Sequence, residues 1–359
     1  MAAAGDNNEF APTSTTGGIE SAIETVPEAA PVRNYVVLSA SLGSSARVED
    51  YVYLAPLTAL NWYLRGFCPI IFVSYTNQAV LNEILLLWKL VLPKESVILP
   101  ILLEEERYLV PFAQISRLFG PSALPLLNGE SFVRVTDADV MILDSSPFHS
   151  PKDRTIDISI FNGKCCLGEN NVGSTGRTCN QYPMHSVGMT AKRWRELFPI
   201  LVLEHASSGT TDIDRSLVLR DPTSPMISHI ENVVNSTWPD FFSTGEKVGH
   251  GSKYMYWNLD QILLGCQIDE MKSSGAMTVE LEDGPKKRVH ILNNLDVDLS
   301  DATDAHLAKF QLQNHQAWFD NFLRKTDAIA GHERNYETYT KSWFETKGLP
   351  SAQLEFNAK

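Results

Sequence analysis

Residues Ser131 to Ser146 read SFVRVTDADVMILDSS, an apolar stretch broken by Asp137 and Asp139 before it turns apolar again. Two carboxylates two residues apart in what otherwise reads as a buried strand are costly unless something compensates their charge. A divalent cation is one such compensator. In an extended segment residues i and i+2 point to the same side, so both acids could face one ion. Their hard oxygens suit Mg²⁺ or Mn²⁺, which typically bind through one or two carboxylates plus the phosphates of a substrate. The competing reading is a pair of solvated aspartates flanking a turn.

The choice depends on the elements that carry the acids. NYVVLSAS, CPIIFVSY and SVILPILL are short apolar runs that predict strands. DYVYLAPLTALNWYLRG has apolar residues at helical spacing and reaches a natural stop at Gly66. Residues 78–92 predict a second helix, and RYLVPFAQISRLFG a third that stops at Gly120. SFVRVTDADVMIL then predicts a fourth strand. Strands and helices alternating in this way point to a parallel, doubly wound sheet, in which ligands bind at the carboxyl ends of the strands. Asp137 and Asp139 fall where the fourth strand ends, and this placement favours the cation over the solvated turn.

Bulk properties narrow the function classes. The chain has 359 residues, with 43% hydrophobic and 20% charged, enough to build a sizeable core. Its formal net charge of -13 argues against binding a nucleic acid backbone, although not against a local basic pocket for a nucleotide. Cys68, Cys165, Cys166, Cys179 and Cys266 form neither a CxxC nor a zinc spacing and are odd in number. They predict scattered reduced thiols, with Cys165-Cys166 as packing. Residues 1–32 are rich in small residues and proline and predict a disordered lead-in without the features of a signal peptide. The apolar stretch AVLNEILLLWKLVLPKESVILPILL is interrupted by charges and proline, so no membrane span is expected. These features predict a cytoplasmic protein, with a Golgi-lumen or secreted chain as the alternative.

The alternation leading to RVTDADVMILDSS resembles the nucleotide-sugar-dependent glycosyltransferases of the GT-A fold, in which an Asp-x-Asp motif holds a divalent ion against the donor diphosphate. YPMHSVGMTAKRWREL resembles the strand, Gly turn and Trp-bearing helix that follow in this superfamily, with Gly188, a helix N-cap at Thr190, and Trp194. YWNLDQILLG resembles a later Asp-Gln helix start, and TDAHLAKF the late histidine that completes the metal shell. The stretch from YVVLSAS onward is similar to a GT-A group with members in animals, algae and large algal viruses, over residues 34 to about 325. One departure is plain: Ser186 and Val187 precede Gly188 where the family usually carries an Asn.

The resemblance implies a GT-A-like (Rossmann-like), mixed and mostly parallel sheet flanked by helices. One domain would span 33–345, with a nucleotide-binding half (34–144), an acceptor half (145–317) and helical packing (318–345), before a flexible tail (346–359). It implies metal-dependent transfer of a sugar from a UDP- or GDP-sugar to a hydroxyl of a glycan, protein or small molecule. Asp139 would be a direct ligand of Mn²⁺ or Mg²⁺, Asp137 a ligand or a ribose contact, and His306 the third protein ligand, with His290 and His315 as competitors. Arg117, on the helix before the acids, would contact the donor diphosphate or sugar, since a guanidinium suits phosphate. Ser39, at the end of the first strand, would lie near the base. Asp260 would be the catalytic base of an inverting reaction, or a sugar contact in a retaining one. The alternatives are a sugar-nucleotidyltransferase and a catalytically inactive nucleotide-sugar-binding or scaffold protein.

Other features carry less. Asp212 and Asp214 form a second Asp-x-Asp in a loop context and read as a helix entry. GENNVGSTGRT matches neither a P-loop nor a dinucleotide fingerprint and reads as a loop beside the site. DGPKKRVH reads as a solvated basic hairpin, and DLSDATDAH lacks the glycine and terminal glutamate of a calcium loop. Trp318, Phe319, Phe322 and Trp343 read as core-facing, and the sequon at Asn235 carries little weight alone.

Overall fold

A computed structural model describes residues 32–43, 46–124, 127–153, 155–163, 168–172, 177–199, 225–237, 259–282, 288–290, 299–300, 302–307 and 310–349. Asp212, Asp214, Cys165-Cys166 and nearly all of the amino-terminal lead-in lie outside these residues, as does the middle of the GENNVGSTGRT loop.

The near-continuous apolar runs become strands buried on both faces, as a parallel sheet requires. β1 (Asn34–Ser41), β2 (Cys68–Tyr75) and β3 (Val97–Leu102) pair in parallel, Tyr35 opposite Cys68 and Ile70 opposite Val97. β4 (Phe132–Val135) joins the other edge of β1 in parallel, ending with Val135 opposite Val37. Beyond it come β9 (Val187–Thr190), antiparallel to β4, then β6 (Ile158–Phe161) and β10 (Val279–Glu282). The resulting seven-stranded sheet has the order β10-β6-β9-β4-β1-β2-β3. It is mixed and mostly parallel, as the resemblance implied, with β9 as the reversed strand.

Alternation along β1 splits the core between the two faces. Tyr35 and Val37 pack with Phe72, Phe112, Ile115 and Trp194. Val36 and Leu38 pack with Ile71, Leu57, Trp62 and Trp88. The first face is covered by α3 (Leu109–Ala123), α4 (Ala191–Leu197), α5 (Pro225–Thr237) and α6 (Leu259–Ser273). The second is covered by α1 (Ala46–Tyr63), α2 (Gln78–Trp88), α7 (Leu312–Lys325) and α8 (Glu333–Thr346). Local signals fix several of these starts. Asn77 Oδ1 accepts from the Ala79 amide at 2.9 Å to open α2, and Thr190 Oγ1 accepts from the Arg193 amide at 3.2 Å to open α4. Phe319, Phe322 and Trp343 are buried as expected, with Trp318 partly buried beside them. Lys347 reaches Glu49 at 3.3 Å and Leu349 packs on the same core, so the chain is held through 349.

Three expectations are corrected. First, 131–143 is not one strand. β4 stops at Val135, a turn follows, and β5 (Val140–Ile142) leaves for a separate three-stranded sheet, β11-β12-β5, with β11 (Val289–His290) and β12 (Asp304–His306). Second, the third helix runs through Gly120 and Pro121 to Ala123. The glycine there serves packing, since a Cβ would stand 2.2 Å from the Phe72 ring. Third, Cys179 and Cys266 are joined in a disulfide with Cα atoms 5.0 Å apart, so they are not reduced thiols. Cys179 lies on β8 (Arg177–Asn180), which forms a hairpin with β7 (Glu169–Val172), and Cys266 lies on α6. Eighty-seven residues separate the two, too far for any local spacing to announce the bond. No helix among the described residues is long and apolar enough to cross a membrane.

Candidate active site

The two acids sit in the turn between β4 and β5, at the carboxyl end of the parallel strands. The Val140 amide donates to the Asp137 carbonyl at 3.2 Å, closing the turn. The same-side argument from an extended strand therefore does not apply, and the turn itself sets the direction of each carboxylate. Every backbone carbonyl from 136 to 140 finds a donor. Arg117 Nη1 reaches Thr136 O at 3.2 Å, Thr58 Oγ1 reaches Ala138 O at 2.6 Å, the Leu307 amide reaches Asp139 O at 2.8 Å, and Trp62 Nε1 reaches Val140 O at 3.3 Å. Asn61 Oδ1 accepts from the Ile142 amide at 2.8 Å. A turn so fully satisfied has little freedom to re-aim its side chains.

Thr58, Asn61 and Trp62 form one face of α1 at i, i+3 and i+4. Their role was not expected, although two polar residues within the apolar run LTALNW were a legible sign of a buried polar face.

His306 arrives from the other direction. β12 pairs antiparallel with β5, placing His306 opposite Val140, the residue after Asp139. Its Nε2 lies 3.3 Å from Asp139 Oδ2. Ligand atoms of Asp137, Asp139 and His306 all fall within 4.8 Å of one another. Two hard carboxylate oxygens and one imidazole nitrogen at that spacing fit a Mn²⁺ or Mg²⁺ ion. Of the competitors, His290 pairs with His306 along the β11–β12 ladder, and His315 Nδ1 accepts the Gln311 amide at the start of α7. His315 does not belong to the acid–imidazole group.

Arg117 lies beside these groups on α3. Its guanidinium donates to Asp137 Oδ1 and, through Nε at 2.8 Å and through Nη2, to Asp260 Oδ2. The expected basic residue is thus buried between two carboxylates. Burial opposes its charge, but Asp260 and Asp137 outweigh that and hold it more firmly protonated than usual. Asp260 opens α6 and is fully buried. Its Oδ2 is committed to Arg117, and its Oδ1 accepts the Gln261 amide at 2.8 Å. Burial lifts its carboxyl above the ordinary range in spite of Arg117. Asp137 goes the other way. Burial raises it, but Arg117, with His306 and Arg288, holds it below the usual value. Burial lowers His306, and the Asp139 carboxylate more than reverses this.

Ser39 lies two residues past Val37, the last β1 residue paired with β4, and alternation puts it on the face that α3 covers. Ser186, where the family carries an Asn, is fully buried and turned to Arg134, whose Nη1 donates to Ser186 Oγ at 3.0 Å. Arg134 also reaches Ser159 Oγ at 3.1 Å and Phe148 O at 2.8 Å. Gly188 accommodates that side chain, because a Cβ there would lie 2.9 Å from the Arg134 guanidinium carbon and 2.5 Å from the Phe132 ring. Ser186 and Gly188 thus belong to a buried polar network around Arg134.

No family model matches the chain, and no curated protein matches it. Among solved structures it is similar to the glycosyltransferase GlyE of Streptococcus pneumoniae at 10% identity and a TM-score of 0.39, covering 88% of this chain and 65% of that one. It is similar to the galactosyltransferase LgtC, solved with donor and acceptor sugar analogues, at 11% identity and a TM-score of 0.40, covering 86% and 95%. It is also similar to mouse xyloside xylosyltransferase 1, at 10% identity and a TM-score of 0.32, covering 78% and 99%. Scores this low carry nothing about this chain's chemistry, which rests on its own residues.

Proposed function

We propose that the chain is a metal-dependent, GT-A-like glycosyltransferase that moves a sugar from a UDP- or GDP-sugar to an acceptor hydroxyl. The observation that carries this reading is the convergence of Asp137, Asp139 and His306 from a rigid turn and a neighbouring strand, within 4.8 Å, at the carboxyl end of the sheet. Asp139 and His306 would hold Mn²⁺ or Mg²⁺, with Asp137 completing the group or meeting the donor ribose. A bound ion supplies charge stabilisation for a departing nucleoside diphosphate.

The chain's own residues do the rest. Arg117 presents a fixed cation beside the acids, suited to the donor's diphosphate or sugar. Asp260, with both oxygens occupied and no exposed surface, acts in this reading by orienting Arg117 rather than by taking a proton from the acceptor. Ser39 borders the base subsite. The division into a nucleotide-binding half (34–144) and an acceptor half (145–317) belongs to the same proposal, as does an acceptor that is a glycan, protein or small molecule. The Cys179–Cys266 bond favours an oxidising compartment, the Golgi lumen or the outside of the cell, over the cytoplasm expected from the sequence.

The test is a thermal-shift screen of UDP- and GDP-sugars with and without Mn²⁺, followed by assay of nucleoside diphosphate release. A Mn²⁺-dependent shift with one donor class, lost in Asp139→Ala and accompanied by diphosphate release, is the expected result. A shift without release would point to an inactive binder. Pyrophosphate exchange with a nucleoside triphosphate would point to a nucleotidyltransferase. A donor shift that survives Asp139→Ala would overturn the metal assignment.

A further inference from the structure

Two stretches that looked incidental in the sequence meet in the fold. Arg288 closes the basic run DGPKKR, and Asp304 lies within DLSDATDAH. Arg288 Nε stands 3.0 and 3.1 Å from the two carboxylate oxygens of Asp304, and Nη2 also donates to Oδ2. The side chains are 2% and 0% exposed, so this is a buried, two-pronged ion pair and not a solvated hairpin charge.

Its position in the small sheet gives the pair consequence. β12 is the middle strand, and its two neighbours are very short. β5 enters directly from Asp139, and β11 contributes only Val289 and His290. Ladders this brief hold a strand weakly by backbone pairing alone. Asp304 lies two residues before His306 on β12, so the two side chains share a side of the strand. Arg288 lies immediately before β11. The ion pair therefore ties β11 to the strand that carries the imidazole, on the imidazole's own side.

We propose that Arg288 and Asp304 are positioning residues of the acid–imidazole group: their pairing fixes β12 so that His306 stands against Asp139. This rests on the metal reading of that group. Neither residue is a ligand; both act through His306.

The experiment is a Mn²⁺ titration of the full chain, with MnCl₂ alone as the probe and free ion followed by electron paramagnetic resonance, well below each variant's melting temperature. Groups that orient metal ligands typically change affinity by about 10–100-fold when removed. Arg288→Met and Asp304→Asn should each weaken Mn²⁺ binding within that range. Arg288→Lys keeps the charge but loses the two-pronged geometry, and should fall between them and the wild type. If Arg288→Met fails to fold, Arg288→Lys carries the test. Folded variants that bind Mn²⁺ like the wild type, even with a lowered melting temperature, would overturn the proposal and leave the pair as a structural tie. A wild-type chain that binds no Mn²⁺ would instead overturn the metal reading itself.

Discussion

Asp137 and Asp139 are one residue type, two positions apart, in opposite circumstances. Asp139 has a side chain only 3% exposed, and it meets His306 beside a backbone carbonyl pinned by Leu307. Asp137 is 26% exposed, and Arg117 holds it, itself held by Asp260. One acid is fixed by the β5–β12 ladder, the other by a chain of charges reaching across to α6. The difference separates two tasks that a short motif blurs. In the proposed function the ladder-held acid would grip an ion, while the charge-held acid would exchange partners when an anionic ligand arrives.

The comparison can be broken first on the side of Asp137. Arg117→Met would leave the buried Asp260 carboxylate without its partner, and removing one member of a buried pair costs about 3–5 kcal/mol. Urea unfolding should show a loss of that size, with donor binding abolished and Mn²⁺ binding at Asp139 and His306 less affected. Next is the Cys179–Cys266 bond, which fastens β8 to the helix whose first turn carries Asp260. Replacing both cysteines with Ala should cost about 2–5 kcal/mol in the same unfolding assay. It should impair donor binding more than Mn²⁺ binding, because α6 serves Asp137 and not Asp139.

On the other side, Thr58→Val would strip the Ala138 carbonyl of its donor. A loss of about 1 kcal/mol in stability is expected, together with a few-fold weaker Mn²⁺ affinity as the turn loosens.

The smallest effect concerns Asp50, which accepts the Leu312 amide at 3.0 Å and so ties α1 to α7 just after β12. Burial raises its pKa from 3.8 to about 6. The folded state then holds this proton more tightly than the unfolded chain, so its contribution to stability falls as pH rises through that window. Asp50→Asn should flatten the stability profile between these values in thermal melts, leaving the slope unchanged above and below them.

Much of the frame was legible. The β-branched runs and helical spacings up to residue 120 announced β1 through most of α3, and the acids marked the carboxyl end of the sheet because the alternation before them was regular. Thr190 announced a helix start through a chemistry confined to a few residues. What escaped was non-local. The break between β4 and β5 depends on Thr58, Trp62 and Leu307, which capture carbonyls from far along the chain. The disulfide joins residues with no spacing signal. Arg288 looked solvated and Asp304 lay in a stretch rejected as a calcium loop, and only the β11–β12 register brings them together. The resemblance offered Asp260 as a base, and its commitment to Arg117 became visible only once α3 and α6 were packed.

The most direct test sets the two acids against each other. Mn²⁺ affinity should be measured for the wild type, Asp139→Ala and Asp137→Asn at fixed pH, with circular dichroism confirming the fold of each. Since even groups behind the ligands change affinity by about 10–100-fold, Asp139→Ala should lose at least about a hundredfold. Asp137→Asn should stay within about tenfold of the wild type and fail chiefly in donor binding. Equal losses from the two substitutions would contradict the division of labour, and Mn²⁺ binding undiminished in Asp139→Ala would contradict the site itself.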